Sequence, residues 1–194
     1  NAFGGCSSMD FVSVNSSNAD VNLRNYLPNN QSMTLYVPEG RSGGYKDVNL
    51  ENSWKTKFGD RIYEGRMEIK SFEINGLEMK FVCATNKNSS NNKATLYTYD
   101  TDISFVEIPS KIYTYTVVGI GRPAFANKGL QRLKIDGELD YIHPNAFSGC
   151  RNLVYIGWNE SDPNKYSPNI FPKNELMTLF VPTDCKYYYD QSTT

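Results

Sequence analysis

His143 is the sole histidine of the 194-residue chain, so any Ser/His/Asp or Cys/His nucleophilic site would have to use it as its base. It stands in the turn Ile142-His143-Pro144-Asn145-Ala146-Phe147, at a place that Gly121 fills in a matching stretch upstream. A position open to glycine reads as structural or surface, not catalytic. Four cysteines, Cys6, Cys83, Cys150 and Cys185, include no Cys-x-x-Cys pair, and with a lone His the spacing of a zinc site is absent. They allow two disulfides in three pairings. The carboxylate pairs Glu138/Asp140 and Asp100/Asp102 have the residue types of a glycoside-hydrolysing dyad, but both fall in turn-like stretches where solvated carboxylates are common. No Asp-x-Asn-x-Asn-Gly calcium loop is present, and Gly40 to Gly44 lacks the Lys-Ser/Thr of a phosphate cradle. Asn15, Asn30, Asn88 and Asn159 each begin an Asn-x-Ser triplet, expected by chance in so Asn- and Ser-rich a chain. No enzyme, no cofactor and no bound metal is expected.

Composition narrows the classes further. The chain holds 20 basic and 21 acidic residues for a formal net charge of -1, without the basic stripe that nucleic acid demands or a polybasic membrane anchor. Its longest apolar runs, such as Tyr115 to Ile120, are too short to span a bilayer. No charged-then-apolar leader opens the sequence, so it is expected to be a fragment whose export signal lies outside it. Abundant Tyr, Phe, Asn, Ser and Thr favour strands joined by many turns.

An internal repeat organises these residues. Asn1-Ala2-Phe3-Gly4-Gly5-Cys6 recurs as Asn145-Ala146-Phe147-Ser148-Gly149-Cys150, an offset of 144 that persists without a gap. Met33-Thr34-Leu35-Tyr36-Val37-Pro38 falls on Met177-Thr178-Leu179-Phe180-Val181-Pro182. A shorter period of 22 relates Ile120-Gly121-Arg122-Pro123-Ala124-Phe125 to Ile142–Phe147. After Phe147 the residues Cys150, Leu153, Ile156 and Trp158 follow at three, six, nine and eleven positions, as Cys6, Met9, Val12 and Val14 do after Phe3. After Phe125 the pattern slips by one, through Leu130, Leu133 and Ile135, and Lys128 replaces the Cys. This is the spacing of a solenoid coil. Phe on a short helical turn plugs the interior, a small Cys packs beside it, and the last two apolar residues mark a short strand. Each coil buries its apolar edge only against its neighbours, so the coils must stack. Packing then explains Cys6 and Cys150 as buried thiols, while Cys185, opposite Arg41 in the long repeat, is the thiol expected to be exposed.

Ile-Gly-x-x-Ala-Phe-x-x-Cys-x-x-Leu-x-x-Ile resembles the BspA-like leucine-rich repeats of Bacteroides-type surface proteins. Val37-Pro38-Glu39-Gly40, Tyr45 and Trp54-Lys55-x-x-Phe58 look like the segment that closes a run of such repeats, and Val106-Glu107-Ile108-Pro109 resembles an entry strand. The resemblance covers about 1–64 and 103–189. It implies a mainly β fold with short helices, a leucine-rich-repeat solenoid interrupted by a β-hairpin section. It also implies an extracellular or cell-surface protein engaged in adhesion.

The chain accordingly divides into 1–64, the end of one repeat run with its closing segment; 65–118, a hairpin entry section; and 119–194, a second, truncated run. Strands are expected at Asp10–Val14 and Thr34–Val37, the latter broken by Pro38, with a short helix over Tyr45–Phe58. In the middle section they are expected at Met67–Ile74, Leu77–Ala84, Ala94–Tyr99, Ser104–Ile108 and Tyr113–Val118. Asn75-Gly76 is a strong hairpin signal, Asn86 to Lys93 reads as a mobile loop tip, and Lys186 to Thr194 is expected to fray. If inward and outward residues alternate, Phe11, Arg132, Lys134 and Tyr155 line one exposed face, either as plain surface residues or as a site for a protein or glycan ligand. Two functions follow: adhesion to host or bacterial proteins, and, as the alternative, carbohydrate binding or nutrient capture.

Overall fold

The structure, a computed structural model, describes residues 3, 5–6, 8–15, 27–28, 33–46, 54–59, 61–87, 89–162, 165–166 and 168–185. They fall into two compact units, 1–69 with 83–93, and 70–82 with 94–194.

In the first unit three short parallel strands, β1 (Phe11–Ser13), β2 (Thr34–Val37) and β3 (Ile62–Glu64), lie in the order β1-β2-β3. The register sets Val12 beside Leu35 and Leu35 beside Ile62. Two one-turn helices, α1 (Ser42–Lys46) and α2 (Trp54–Phe58), stand where one helix over Tyr45–Phe58 was expected, and residues 47–53 lie outside the described residues. Gly40, at φ 74, turns the chain after Pro38, and both carboxylate oxygens of Glu64 accept there, from Gly40 N at 3.2 Å and Ser42 N at 2.8 Å. The Tyr45, Trp54 and Phe58 rings pack in sequence, at 5.4 and 5.9 Å, into a core with Val14, Met33, Leu35, Val37 and Ile62. In the expected loop tip at 86–93, Lys87, Ser90 and Asn91 are exposed, and the residues flanking them are anchored. Asn86 and Asn92 are buried, Asn86 N donates to Asn92 Oδ1 at 2.8 Å, and Asn86 Nδ2 donates to Glu64 O at 2.9 Å. A carbonyl-seeking amide side chain thus fastens both ends of what composition alone marks as loose.

Strands β4 (Arg66–Ile74) and β5 (Leu77–Thr85) run through both units and are joined by Asn75-Gly76, whose φ values of 52 and 78 are those of a tight type I′ hairpin. The second unit continues with β6 (Lys93–Tyr99), β7 (Phe105–Ile108), β8 (Lys111–Ile112), β9 (Tyr115–Ile120), β10 (Arg132–Ile135), β11 (Tyr141–Ile142), β12 (Tyr155–Trp158) and β13 (Thr178–Phe180). One sheet runs β11-β9-β6-β5-β4, with β8 antiparallel to β9. The other, β13-β12-β10-β7, is parallel throughout. From Ile120 the chain winds as coils: β9, a turn, β10, then β11, a turn, β12, with β11 parallel to β9 and β12 parallel to β10. This is the expected mainly β solenoid with short helical pieces.

The turns between coil strands are closed by hydrogen bonds from residue i+3 back to i, such as Lys128 N to Phe125 O at 3.0 Å and Cys150 N to Phe147 O at 3.1 Å. They also pair with one another, Phe125 N donating to Ala146 O at 3.0 Å and Asn127 N to Ser148 O at 2.8 Å. The buried rings stack as the coils do: Phe125 lies flat on Phe147, centroids 5.0 Å apart and planes 4° from parallel, and the half-buried Phe171 ring follows at 5.0 Å, tilted by 45°. Gly149, at φ +80, has no room for a Cβ because the Asn127 side chain occupies that space.

None of the four cysteines is in a disulfide. Cys150 is buried, its Sγ donating to Phe125 O at 2.7 Å, and burial raises its pKa. Two cysteine expectations are corrected. Cys6, at the same coil position, is exposed because among the described residues no coil lies on that turn: Phe3 is half open and nothing stands within 4 Å of a Cβ on Gly5. Cys185 is buried where an exposed thiol was expected, its N–H donating to Pro182 O at 3.0 Å in a closed turn.

Two predictions follow from this packing. Phe147→Ala should remove about 3–5 kcal/mol of stability, as read by urea unfolding. A thiol-reactive dye should label the buried Cys83, Cys150 and Cys185 only as the protein unfolds.

Candidate binding face on the repeat strands

Because side chains alternate along a strand, three of the four parallel strands of the second unit, β7, β10 and β12, send Val106, Leu133, Ile156 and Ile108, Ile135, Trp158 inward, where all are buried. Their partners in the alternation point out. In-register pairing sets Phe105, Arg132, Tyr155 and Thr178 side by side in one row, and Glu107, Lys134, Gly157 and Phe180 in the next. With strands about 4.8 Å apart, four of them present a face about 14 Å across. Three aromatic side chains stand on it well exposed, Phe105 at 43%, Tyr155 at 48% and Phe180 at 57%.

The charged groups on this face are already engaged. The Arg132 guanidinium lies over the Phe105 ring, 5.3 Å from its centroid, a cation–π contact that holds the head group without neutralising it. Lys134 Nζ stands 2.7 Å from Glu107 Oε1 and 2.9 Å from Asp136 Oδ1. Hydrogen bonds to Glu107 first and Asp136 second push its pKa up to about 12. Glu107 in turn accepts from Asn75 Nδ2 at 3.1 Å. Tyr155 and Phe180 face each other at 6.4 Å, tilted by 32°. Between Lys134 and Phe180 the row has no side chain, since Gly157 leaves open space there, the nearest atom to a Cβ being Lys134 Cγ at 3.8 Å.

Arg132, Lys134 and Tyr155 are therefore brought together as the alternation anticipates. Phe11 belongs to β1 of the first unit, half-buried, with the Tyr36 ring 6.3 Å away. Sequence reasoning missed Phe105 and Phe180. Phe105-Val106-Glu107-Ile108 carries the same out-in-out-in order as Arg132–Ile135, and Phe180 sits one strand beyond Tyr155 in the 144-residue repeat, so the signal for both was present.

The residues weighed for chemistry lie elsewhere. His143 is buried, its Nδ1 accepting from Asn145 N at 2.9 Å, with Tyr141 edge-on at 6.2 Å. Glu138 accepts from Ser161 Oγ at 3.0 Å in an exposed turn. Asp100 pairs with Lys80 at 2.8 Å, which holds its carboxyl below the ordinary range, and Asp102 accepts from Gly129 N at 2.7 Å. Among the described residues no three of His, Cys, Asp and Glu gather where they could hold a metal ion. Among those residues, too, no helix is long and apolar enough to cross a membrane.

Parallel coils of about twenty residues, one short strand each on a common sheet and a buried Phe and Leu ladder behind it, define a leucine-rich-repeat solenoid. Residues 118–192 match the family model of the BspA type leucine-rich repeat region, in 6 copies. That stretch is a BspA-type leucine-rich repeat region, and the family points to a repeat-based protein-interaction or surface protein. No curated protein and no solved structure matches the chain.

Titration of the Lys134 side chain by NMR should give a midpoint near 12, lowered in Glu107→Gln. The folded value lies above the usual ~10.4. The stabilisation from this cluster should therefore be complete below that usual value and lost as pH rises through about 12.

Proposed function

We propose that the chain is a non-enzymatic binding protein of the cell surface or extracellular space, and that it engages a protein partner through the outer face of β7, β10, β12 and β13. The observation that carries this reading is the set of three exposed aromatic side chains, Phe105, Tyr155 and Phe180, held in register beside Arg132. Exposed rings gathered on one face mark interaction surfaces, and aromatic and Arg side chains are the residue types that dominate binding energy at protein interfaces. The family supports interaction through repeats; adhesion to host or bacterial proteins is the finer form of the proposal.

A second reading, carbohydrate binding, is favoured by one feature. The gap over Gly157, flanked by the Tyr155 and Phe180 rings, is of a shape that a sugar ring stacked on an aromatic would fill. Immobilised matrix proteins and a glycan array separate the two. Binding to proteins with a silent array supports the first, and saccharide hits support the second. In either case Tyr155→Ala and Phe180→Ala should each weaken binding about 30-fold, from the ~2 kcal/mol typical of an aromatic anchor. Undiminished binding by both variants would remove this face from the proposal.

A further inference from the structure

We infer that Arg132 is a carboxylate receptor, and that the polypeptide segment seated on this face carries one Asp or Glu side chain flanked by apolar groups. This rests on the reading of the outer face of β7, β10 and β12 as an interaction surface, and adds the chemistry that the surface selects. The other charges there are paired within the fold. Lys134 Nζ is held by Glu107 Oε1 at 2.7 Å and by Asp136 Oδ1 at 2.9 Å. The second Glu107 oxygen is engaged too, accepting from Asn75 Nδ2 at 3.1 Å. Arg132 differs. Among the described residues its guanidinium lies on the Phe105 ring and makes no hydrogen bond or ion pair.

A guanidinium holds its N–H donors in one plane. Stacked on a ring through its flat side, it keeps the edge of that plane open, and the fork of donors there matches the two oxygens of a carboxylate. The strand register supplies the setting. Arg132 on β10 stands between Phe105 of β7 and Tyr155 of β12, and both rings are well exposed. Once a partner is seated, rings on either side keep water from the fork, which strengthens a charge-assisted bond made there. The same setting fixes the charge of the ligand. A phosphate group, with a charge of about -2, calls for a second cation. The next cation on the face is Lys134, already neutralised, and the Glu107 and Asp136 carboxylates beside it repel a dianion. One guanidinium matches one carboxylate. The flanking rings decide its source: an acidic side chain in a polypeptide brings apolar neighbours to Phe105 and Tyr155, whereas a sugar acid brings hydroxyls.

The test follows the Arg132 Nε–H resonance of the isotope-labelled 194-residue chain as three probes are added. They are acetyl-Leu-Glu-Phe-amide, its Gln counterpart and sodium glucuronate. The Glu peptide should move that resonance and bind about tenfold more tightly than the Gln peptide, the margin of a charge-assisted hydrogen-bonded pair. Arg132→Gln should abolish the preference, and Arg132→Lys, which keeps the charge and loses the fork, should leave about threefold. Both changes fall on an exposed side chain, and an unchanged unfolding midpoint checks that each variant folds. Tyr155→Ala separates this inference from the reading beneath it: it should weaken both peptides alike and keep their ratio. Equal binding of the two peptides, lost for both with Tyr155, would overturn the carboxylate and leave the face standing. A preference that outlives Arg132→Gln, no shift with either peptide, or glucuronate binding more tightly than the Glu peptide would each overturn the inference as well.

Discussion

The contact on which the second unit depends is the flat stacking of Phe125 on Phe147, 5.0 Å apart and nearly parallel. That separation is close to the ~4.8 Å between neighbouring strands of a sheet, so ring and ladder impose the same rise from one coil to the next. The backbone pairing of the turns, Phe125 N to Ala146 O and Asn127 N to Ser148 O, repeats it at the corner of the coil. With corner and strand advancing in step, Leu133 must meet Ile156 inside, and Arg132 must meet Tyr155 outside. The outer face is in this sense a by-product of the buried column: its rows cannot slip without unstacking the rings.

The same dependence explains why identical residues behave differently in the two copies. Phe147 is buried because Phe125 and Phe171 flank it, and Phe3, of the same type at the same coil position, is half open. Gly149 is hemmed in by Asn127 while Gly5 faces open space. Leu35 and Leu179 differ in the same manner. In a stack whose units touch only their neighbours, burial belongs to the interface between coils and not to the residue, so one motif is core in one place and edge in another.

That distinction also sets what the sequence discloses. Periods of 22 and 144 residues, the inward positions and the Asn75-Gly76 turn are local patterns, and strands such as Thr34–Val37 and Leu77–Thr85 stand where those patterns put them. The cysteines defeated the pattern because the repeat equates Cys6 with Cys150 although only Cys150 is buried, against the Phe125 turn, and Cys185 is buried in a turn of its own, outside the coil period. Asn86 and Asn92 read as loop residues by type; Asn92 fastens the loop by accepting from Asn86 N, and Asn86 by reaching the Glu64 carbonyl, which only the tertiary fold supplies. Of the binding face, Arg132, Lys134 and Tyr155 were legible from alternation. Phe105 and Phe180 needed the knowledge that β7 and β13 flank the coil strands in register. Phe11 holds on β1 of the first unit the repeat position that Tyr155 holds on β12 of the second.

The chemistry of the face follows from how its charges are satisfied. Lys134 is neutralised by Glu107 and Asp136, which removes it as a free cation for an acidic partner. Arg132, lying on Phe105, keeps its charge while its plane extends the aromatic surface. The face therefore acts as an apolar, ring-bearing strip with one fixed guanidinium, on a chain of formal net charge -1. Because Phe105, Tyr155 and Phe180 project from paired strands and not from loops, little backbone freedom remains to be lost on binding. A partner would be selected by fit to the spacing of those rings, and that spacing is fixed from behind by the stacked phenylalanines.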